Sequence, residues 1–257
     1  MTTTAFDAQA AAYDDVAESA LGVVLRARVH HVLEGLTSPS DTVIDLGCGT
    51  GIDAAWLAPQ VRSLVAFDAS AEMVELTQHR CRDLDNVVVR QADLAAEDAL
   101  TDLAPADIVL ANFGVVNCIG DLAAFGRRLH SVMTPGGTAV IVTMARWCPI
   151  ELSIGLATGN WQLIRRRMSG ATSDEAYPGL ALRYASAREL ARAFGAGFEL
   201  EHAESLGSAL PPFEQRRWLE NRPGFLRVLA ATDQRIATSA ARLGLGDHHI
   251  AVLRRLP

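Results

Sequence analysis

The residues best suited to chemistry in this chain are three alternating glycines, Gly47, Gly49 and Gly51, which follow the acid Asp45 at the end of an apolar run from Val43. Glycine lacks a Cβ and adopts positive φ at little cost, so a turn built this way lets backbone approach a bound nucleotide closely. Spacing then separates two cofactor classes. A dinucleotide fingerprint reads G-x-G-x-x-G, which would place its third glycine at position 52; the chain has Ile52 there and the glycine at Gly51. A second apolar run, Leu64 to Phe67, stops at Asp68 and continues as Ala69, Ser70, Ala71, Glu72 and Met73. A carboxylate at a strand tip offers two acceptor oxygens in one plane, which suits the paired hydroxyls of a ribose; taken alone, Asp68 also reads as a solvated acid. A third run, Val87 to Val89, leads to Asp93 and Leu94, and a fourth, Ile108 to Ala111, leads to Asn112, Phe113 and Gly114.

Each of these polar groups needs an element to hold it. Val43, Ile44 and Leu46 suit a parallel strand covered on both faces. Ligands of open parallel sheets bind outside the carboxyl ends of the strands, at the switch in strand order, so Asp68, Asp93 and Asn112 are expected to converge. Ser70 reads as the N-cap of the next helix, with Glu72 in its first turn. Apolar residues from Ile119 to Met133 recur at helical spacing, and Pro135-Gly136-Gly137 breaks that pattern before a strand from Thr138 to Met144. Ser186 and Glu189 form a capping-box pattern for a helix closing at Gly195. Strands are expected around Phe198–Ala203 and His249–Leu253.

Asp45 to Gly51, with Asp68, Asp93 and the Pro-Gly-Gly turn, resembles the class I S-adenosylmethionine-dependent methyltransferase family, in its small-molecule and ubiquinone-biosynthesis-type branch. The resemblance implies an α/β fold: a Rossmann-like, doubly wound sheet of seven mostly parallel strands, the last antiparallel, with helices on both faces. It implies S-adenosylmethionine as cofactor, held by Asp45, Gly47, Cys48 through its backbone, Gly49, Gly51, Asp68, Ala69, Met73, Asp93, Leu94, Asn112, Phe113 and Gly114. In the family, the acid after the third strand bonds the adenine amine, and the residues after the fourth border the methionine moiety. Phe6-Asp7 and Ala12-Tyr13-Asp14 resemble the family's lid segment. Tyr13 would then close over the cofactor and Arg28 meet its carboxylate; the other reading of Arg28 is a basic side chain on a solvated helix face.

Composition bounds the rest. With 257 residues and 49% hydrophobic content, the chain can bury a full core. One domain over 1–257 is expected, with a lid segment at 1–36 and insertions at 145–185 and 205–246 that form the acceptor pocket. Phe6, Trp147 and Trp161 are the candidate substrate contacts, as large apolar residues outside the sheet. The sequence has no apolar run near membrane length, and Met1 to Thr4 lacks signal-peptide features, so a cytoplasmic location is expected. A net charge of −7 disfavours nucleic acid. Arg165, Arg166 and Arg167 read as a solvated helix face or as a receptor for an anionic substrate or carrier. Cys48, Cys81, Cys118 and Cys148 lie too far apart for a zinc motif, and His248-His249 on a strand point to opposite faces, so no metal is expected.

Methyl transfer is an in-line displacement for which positioning supplies much of the catalysis, with reacting atoms held at roughly 3 to 3.5 Å. A base is needed only where the acceptor must lose a proton early. Tyr13 and Asn117 are the polar groups expected nearest the methyl. The expected acceptor is an oxygen or nitrogen, less readily a carbon, of a small, partly apolar metabolite; an acyl group on a carrier protein is the second choice. Cofactor binding with cyclisation, rearrangement or sensing instead of methyl transfer is the alternative function. A short-chain dehydrogenase would need a Tyr-x-x-x-Lys pair, and this sequence has no lysine.

Overall fold

The apolar runs become strands of one sheet in a computed structural model that describes residues 10–169, 171–173, 181–213 and 216–257. Strands β1 (Thr42–Leu46), β2 (Ser63–Asp68), β3 (Val87–Gln91), β4 (Ala106–Ala111) and β5 (Met133–Met144) are parallel. A short hairpin, β6 (Ala171–Ser173) and β7 (Ala181–Arg183), stands apart from it, and β8 (Phe198–Leu206) and β9 (His248–Arg255) complete the sheet. The seven strands run in the order β3-β2-β1-β4-β5-β9-β8. Only β9 is antiparallel, to β5 on one side and β8 on the other. The chain winds outward from β1 in one direction and from β4 in the other, which opens a crevice at their carboxyl ends.

Alternation along the strands divides the core in two. Ile44, Leu46, Val109 and Ala111 join one cluster, and Val43, Ile108 and Leu110 the other, because neighbouring strand residues face opposite ways. Against the first face pack α5 (Leu122–Ser131) and α8 (Ala187–Phe194), which contribute Phe125, Leu129, Leu190 and Phe194. Against the second lie α2 (Ala20–Glu34) and α3 (Ile52–Leu57), which contribute Leu25, Val29 and Leu57. Helix α1 (Ala10–Ala17) precedes α2, and α4 (Ala71–Arg80) links β2 to β3.

Local signals hold in detail. The Ser70 hydroxyl accepts from the Met73 N–H and caps α4, and Ser186 with Glu189 forms the reciprocal capping box of α8, which stops at Gly195. The helical stripe is shorter than expected. Asp121 accepts from the Ala124 N–H and starts α5 at Leu122, after a separate turn over Val115–Cys118. Strand β5 begins at Met133, before the Pro-Gly-Gly turn, whose irregularity appears as a register shift against β4 between Ala106 and Ile108.

The first insertion carries α6 (Pro149–Thr158), α7 (Trp161–Ser169) and the β6–β7 hairpin; the second carries α9 (Arg216–Glu220) and α10 (Pro223–Arg242). Leu210, Leu219 and Leu226 of the second pack with Leu21, Leu25 and Val29 of α2. That segment is therefore part of the sheet's cover. In the first insertion, Arg167 is buried to 1% exposure. It donates to Glu151 Oε2 and Asp247 Oδ1, each at 2.5 Å, and to the Ala145 carbonyl. The arginine run is thus neither a uniform solvated face nor an anion receptor at Arg167; Arg165 is exposed. Among the described residues, no helix is long and apolar enough to cross a membrane. Phe6 lies outside the described residues.

Candidate active site

The glycine turn is bolted to the end of β2. Gly47 and Cys48 N–H donate to the Phe67 carbonyl at 2.7 and 2.8 Å. Gly49 N–H donates to Asp68 Oδ2 at 2.9 Å and Ser70 N–H to Asp68 Oδ1 at 3.0 Å. Gly47, Gly49 and Gly51 all have positive φ, at 71°, 56° and 81°, a region that penalises side chains. Their missing Cβ atoms serve different neighbours. A Cβ on Gly47 would stand 2.5 Å from Val115 Cγ2, and one on Gly51 2.9 Å from Thr77 Cγ2. At Gly49 the nearest atom is Tyr13 Cε1 at 3.7 Å, so Gly49 opens onto a cavity while Gly51 allows α4 to pack close.

That cavity lies at the carboxyl ends of the strands. Tyr13, Gly47, Gly49, Asp68, Ala69, Met73, Asp93, Leu94, Asn112, Phe113 and Gly114 all line it. Four strand ends therefore deliver their expected residues to one place. Val115, Cys118, Ile119, Met144 and Leu182 complete the described wall; sequence reasoning missed these because apolar residues after a strand read as core. Burial pushes the Cys118 thiol up to about 12, so it stays protonated at neutral pH.

Beneath the wall a polar network fixes the end of β4. The Asn112 side chain accepts from Phe113 N–H at 2.9 Å and donates to Asp53 Oδ2 at 2.8 Å. Asp53 also pairs with Arg26 and meets His30 Nε2 at 2.8 Å. Burial alone would raise the Asp53 pKa, but His30, Arg26 and Asn112 overcome it and hold the carboxyl at about 2. His30 stacks on Trp56 at 3.7 Å, and the Arg26 guanidinium lies 5.0 Å from the Phe113 ring centre. Phe113 and Gly114 both take positive φ, 46° and 92°. Such a conformation at a phenylalanine costs about 1–3 kcal/mol and needs surrounding support, which this network provides.

The lid helix is fastened from one side chain. Asp14 accepts from Thr50 Oγ1 and from Arg80 Nη2, each at 2.5 Å. This clasps α1 to the glycine turn and to α4, and sets Tyr13 over Gly49.

Several expected residues stand elsewhere. Arg28 pairs with Glu204 of β8 and lies 3.7 Å from Asp233 of α10, so it turns from the cavity; Arg26 is the arginine beside the turn. Arg26 and His30, four apart on one helical face, both reaching Asp53, are the signal that distinguishes them. Asn117 is buried and fully engaged with backbone: it donates to the Met144 and Arg183 carbonyls at 3.2 and 2.6 Å and accepts from Met144 N–H at 2.8 Å. It positions the wall and does not touch the cavity.

Trp147 and Trp161 are 40% and 63% exposed and absent from the wall, as are the described residues of the second insertion. Asp45 is buried beneath the turn, where desolvation, with the Asp53 charge adding, pushes its carboxyl well above the usual range. The Cys48 thiol faces Thr77 Oγ1 at 3.5 Å, and burial raises its pKa. His249 serves structure, its ring nitrogens meeting Ala187 N–H and the Leu245 carbonyl. One described group has metal-ligand chemistry, Cys148, Glu151 and Asp247; the Arg167 guanidinium binds both of its carboxylates.

Comparison with known proteins follows the same lines. Residues 37–175 match the family described as Methyltransferase domain. An uncharacterized methyltransferase of Mycobacterium tuberculosis is 31% identical over 47% of this chain and 56% of its own length. The ubiquinone biosynthesis O-methyltransferase of Chelativorans sp. is 27% identical, over 40% of each chain. The matched stretches thus span about half the length of these relatives, or less. A crystal structure of an S-adenosylmethionine-dependent methyltransferase from Mesorhizobium loti superposes with a TM-score of 0.60 at 19% identity, covering 87% of this chain and 96% of that one.

Proposed function

The chain belongs to the class I S-adenosylmethionine-dependent methyltransferase family, whose domain its residues 37–175 match, and from that premise we propose that it methylates an oxygen or nitrogen, less readily a carbon, of a small, partly apolar metabolite. The observation that carries this reading is the convergence of Gly49, Asp68, Asp93 and Asn112 on one cavity. When bound, the cofactor supplies an electrophilic methyl group.

The residues present fit that group. Gly49 leaves the space a side chain would fill, and the Asp68 carboxylate, oriented by two backbone N–H groups, suits the ribose hydroxyls. Asp93 suits the adenine amine, while Phe113 and Gly114 border the methionine end. Tyr13 closes the cavity from the lid and excludes water. Catalysis on this reading is mainly alignment, which is worth several kcal/mol when the partners are held at about 3 to 3.5 Å.

The partner is a small molecule on this reading, with neither nucleic acid nor membrane involved, in the cytoplasm; the net charge of −7 supports the exclusion of nucleic acid. Incubation with methyl-deuterated cofactor and a metabolite extract tests the function. Labelled small-molecule product with equimolar S-adenosylhomocysteine is expected. Cofactor that binds but never loses its label would point to cyclisation, rearrangement or sensing, and label found only in RNA or protein would refute the small-molecule reading.

A further inference from the structure

The 145–185 insertion meets the cavity through one side chain. Of its described residues, Leu182 alone lines the wall, and it is buried to 5% exposure. Burial alternates along β7 and just past it: Leu182 and Tyr184 are buried while Arg183 is exposed, as strand neighbours point to opposite sides. The Tyr184 ring lies against the Arg167 guanidinium, at 5.1 Å. The two buried side chains thus serve different neighbours, Tyr184 the ion cluster and Leu182 the cavity.

Where Leu182 stands is set from outside the cavity. The Asn117 amide donates to the Arg183 carbonyl at 2.6 Å and to the Met144 carbonyl at 3.2 Å, and accepts from Met144 N–H at 2.8 Å. Its backbone N–H donates to the Gly114 carbonyl at 2.9 Å. Thr143 Oγ1 donates to the Ala185 carbonyl at 2.9 Å, and Ala185 N–H to the Met144 carbonyl at 3.3 Å. One amide, using its donor and acceptor sides at once, therefore joins three segments: the turn after β4, the end of β5, and β7. Each of the three supplies a wall residue, Gly114, Met144 and Leu182 in turn, and none of these bonds involves Gly49, Asp68 or Asp93.

Strand order separates this trio from the acids. In the sequence β3-β2-β1-β4-β5, Asp93 and Asp68 stand at the ends of the first two strands, Gly114 follows β4 and Met144 ends β5. A cofactor whose nucleoside lies at Asp93 and Asp68 runs its methionine arm across β1 toward β4, so its methyl group faces the wall from Gly114 to Leu182. Resting on the methyl-transfer reading, we infer that Leu182 is a specificity-determining residue, which packs on the acceptor's apolar body and limits its size, and that Asn117 is the positioning residue that fixes it there. An apolar wall discriminates by volume, and one methylene more or less is worth about 10–200-fold in kcat/KM. Cofactor and acceptor are then read by separate parts, the glycine turn and strand-end acids for one and the insertion for the other.

The set of labelled products tests this, with methyl-deuterated cofactor and a metabolite extract incubated with the purified full chain and its variants. Leu182→Ala should add labelled products from bulkier acceptors. Leu182→Phe should lower kcat/KM for the unmodified chain's main acceptor by about tenfold or more, and Leu182→Met, which conserves volume, should keep the original product set. All three should bind S-adenosylhomocysteine with unchanged affinity in calorimetry. Asn117→Asp keeps the side chain's size but loses both amide donors, so it should raise the acceptor KM about tenfold, the scale of one misplaced apolar contact, and leave the cofactor KM unchanged; the Leu182 variants decide the inference where that chain does not fold. An unaltered product set in both Leu182→Ala and Leu182→Phe overturns it, as does weakened S-adenosylhomocysteine binding in Leu182→Ala, which would put Leu182 on the cofactor. Equal changes of both KM values in Asn117→Asp overturn the role of Asn117. No labelled product from the unmodified chain overturns instead the methyl-transfer reading beneath.

Discussion

Asp14 and Thr50 are joined by a hydrogen bond of 2.5 Å, from the threonine hydroxyl to the carboxylate, and that contact ties the lid helix to the glycine turn. Arg80 holds the other oxygen of the same carboxylate, so one side chain sets where Tyr13 rests. The relationship links the N-terminal segment, which carries no part of the glycine motif, to the closure of the cavity.

Asp14→Ala should release the lid without unfolding the sheet. Hydrogen bonds to a charged group contribute about 1.5–3 kcal/mol, and part of that should appear as roughly tenfold weaker S-adenosylhomocysteine binding in calorimetry. Thermal unfolding should shift little, because Asp14 and Arg80 are both partly exposed and such pairs stabilise folds weakly. Unchanged affinity would separate the lid from cofactor binding.

Gly49→Ala and Gly51→Ala should fail in different ways. Gly51→Ala drives a methyl to 2.9 Å from Thr77 in addition to the cost of a positive φ, about 1–2 kcal/mol, so it should destabilise in urea denaturation and be partly rescued by Thr77→Ala. Gly49→Ala carries the same positive-φ cost but meets nothing closer than Tyr13 at 3.7 Å, so it should lose less stability and more cofactor affinity. Equal losses of stability in the two variants would contradict the assignment of Gly49 to the cavity and Gly51 to packing.

Arg26→Ala should be more damaging than Arg28→Ala to the site. It leaves Asp53 buried without its cation, a change worth about 3–5 kcal/mol, and frees the support beneath Phe113. Asp53 also sets an acid limit. Its folded value of about 2 lies below the ordinary aspartate value near 3.9, so its stabilisation is complete above about pH 4 and is lost as pH falls toward 2. Urea midpoints measured across that window should drop more for the unmodified chain than for Asp53→Asn.

Arg167→Ala should destabilise by about 3–5 kcal/mol, since the buried acids Glu151 and Asp247 would lose the guanidinium they share. Arg165→Ala, at an exposed position, should stay within about 0.5 kcal/mol. Urea denaturation of the two variants reads the difference, and similar values for both would mean that the buried ion cluster does not hold α6 and α7 in place.

The part of the cavity wall formed by the glycine turn and the strand ends was legible because its residues are written in short, local patterns. Glycine spacing fixes the backbone of the turn, and an acid at each strand end must emerge at the same sheet edge once the strands are parallel. The wall beyond Gly114 was not. Met144 and Leu182 reach the wall through β5 and the β6–β7 hairpin, and residues so distant in sequence meet only through tertiary packing. Arg28 and Arg26 are two residues apart on one helix, so composition alone did not decide which faces the turn; their acids, Glu204 and Asp53, lie in separate elements. Trp147, in an isolated bridge to Leu245 ahead of α6, and Trp161, at the start of α7, show the opposite case, since large apolar residues of an insertion also stand at the surface.

The central claim is that Asp68 and the glycine turn hold S-adenosylmethionine, and calorimetry of the unmodified chain and Asp68→Ala with S-adenosylhomocysteine and with NADH tests it most directly. The account predicts binding of S-adenosylhomocysteine, no response to NADH, and a loss of about 1.5–3 kcal/mol in the variant, the range for hydrogen bonds to a charged acceptor. Binding of NADH in place of S-adenosylhomocysteine, or full affinity retained in Asp68→Ala, would contradict it.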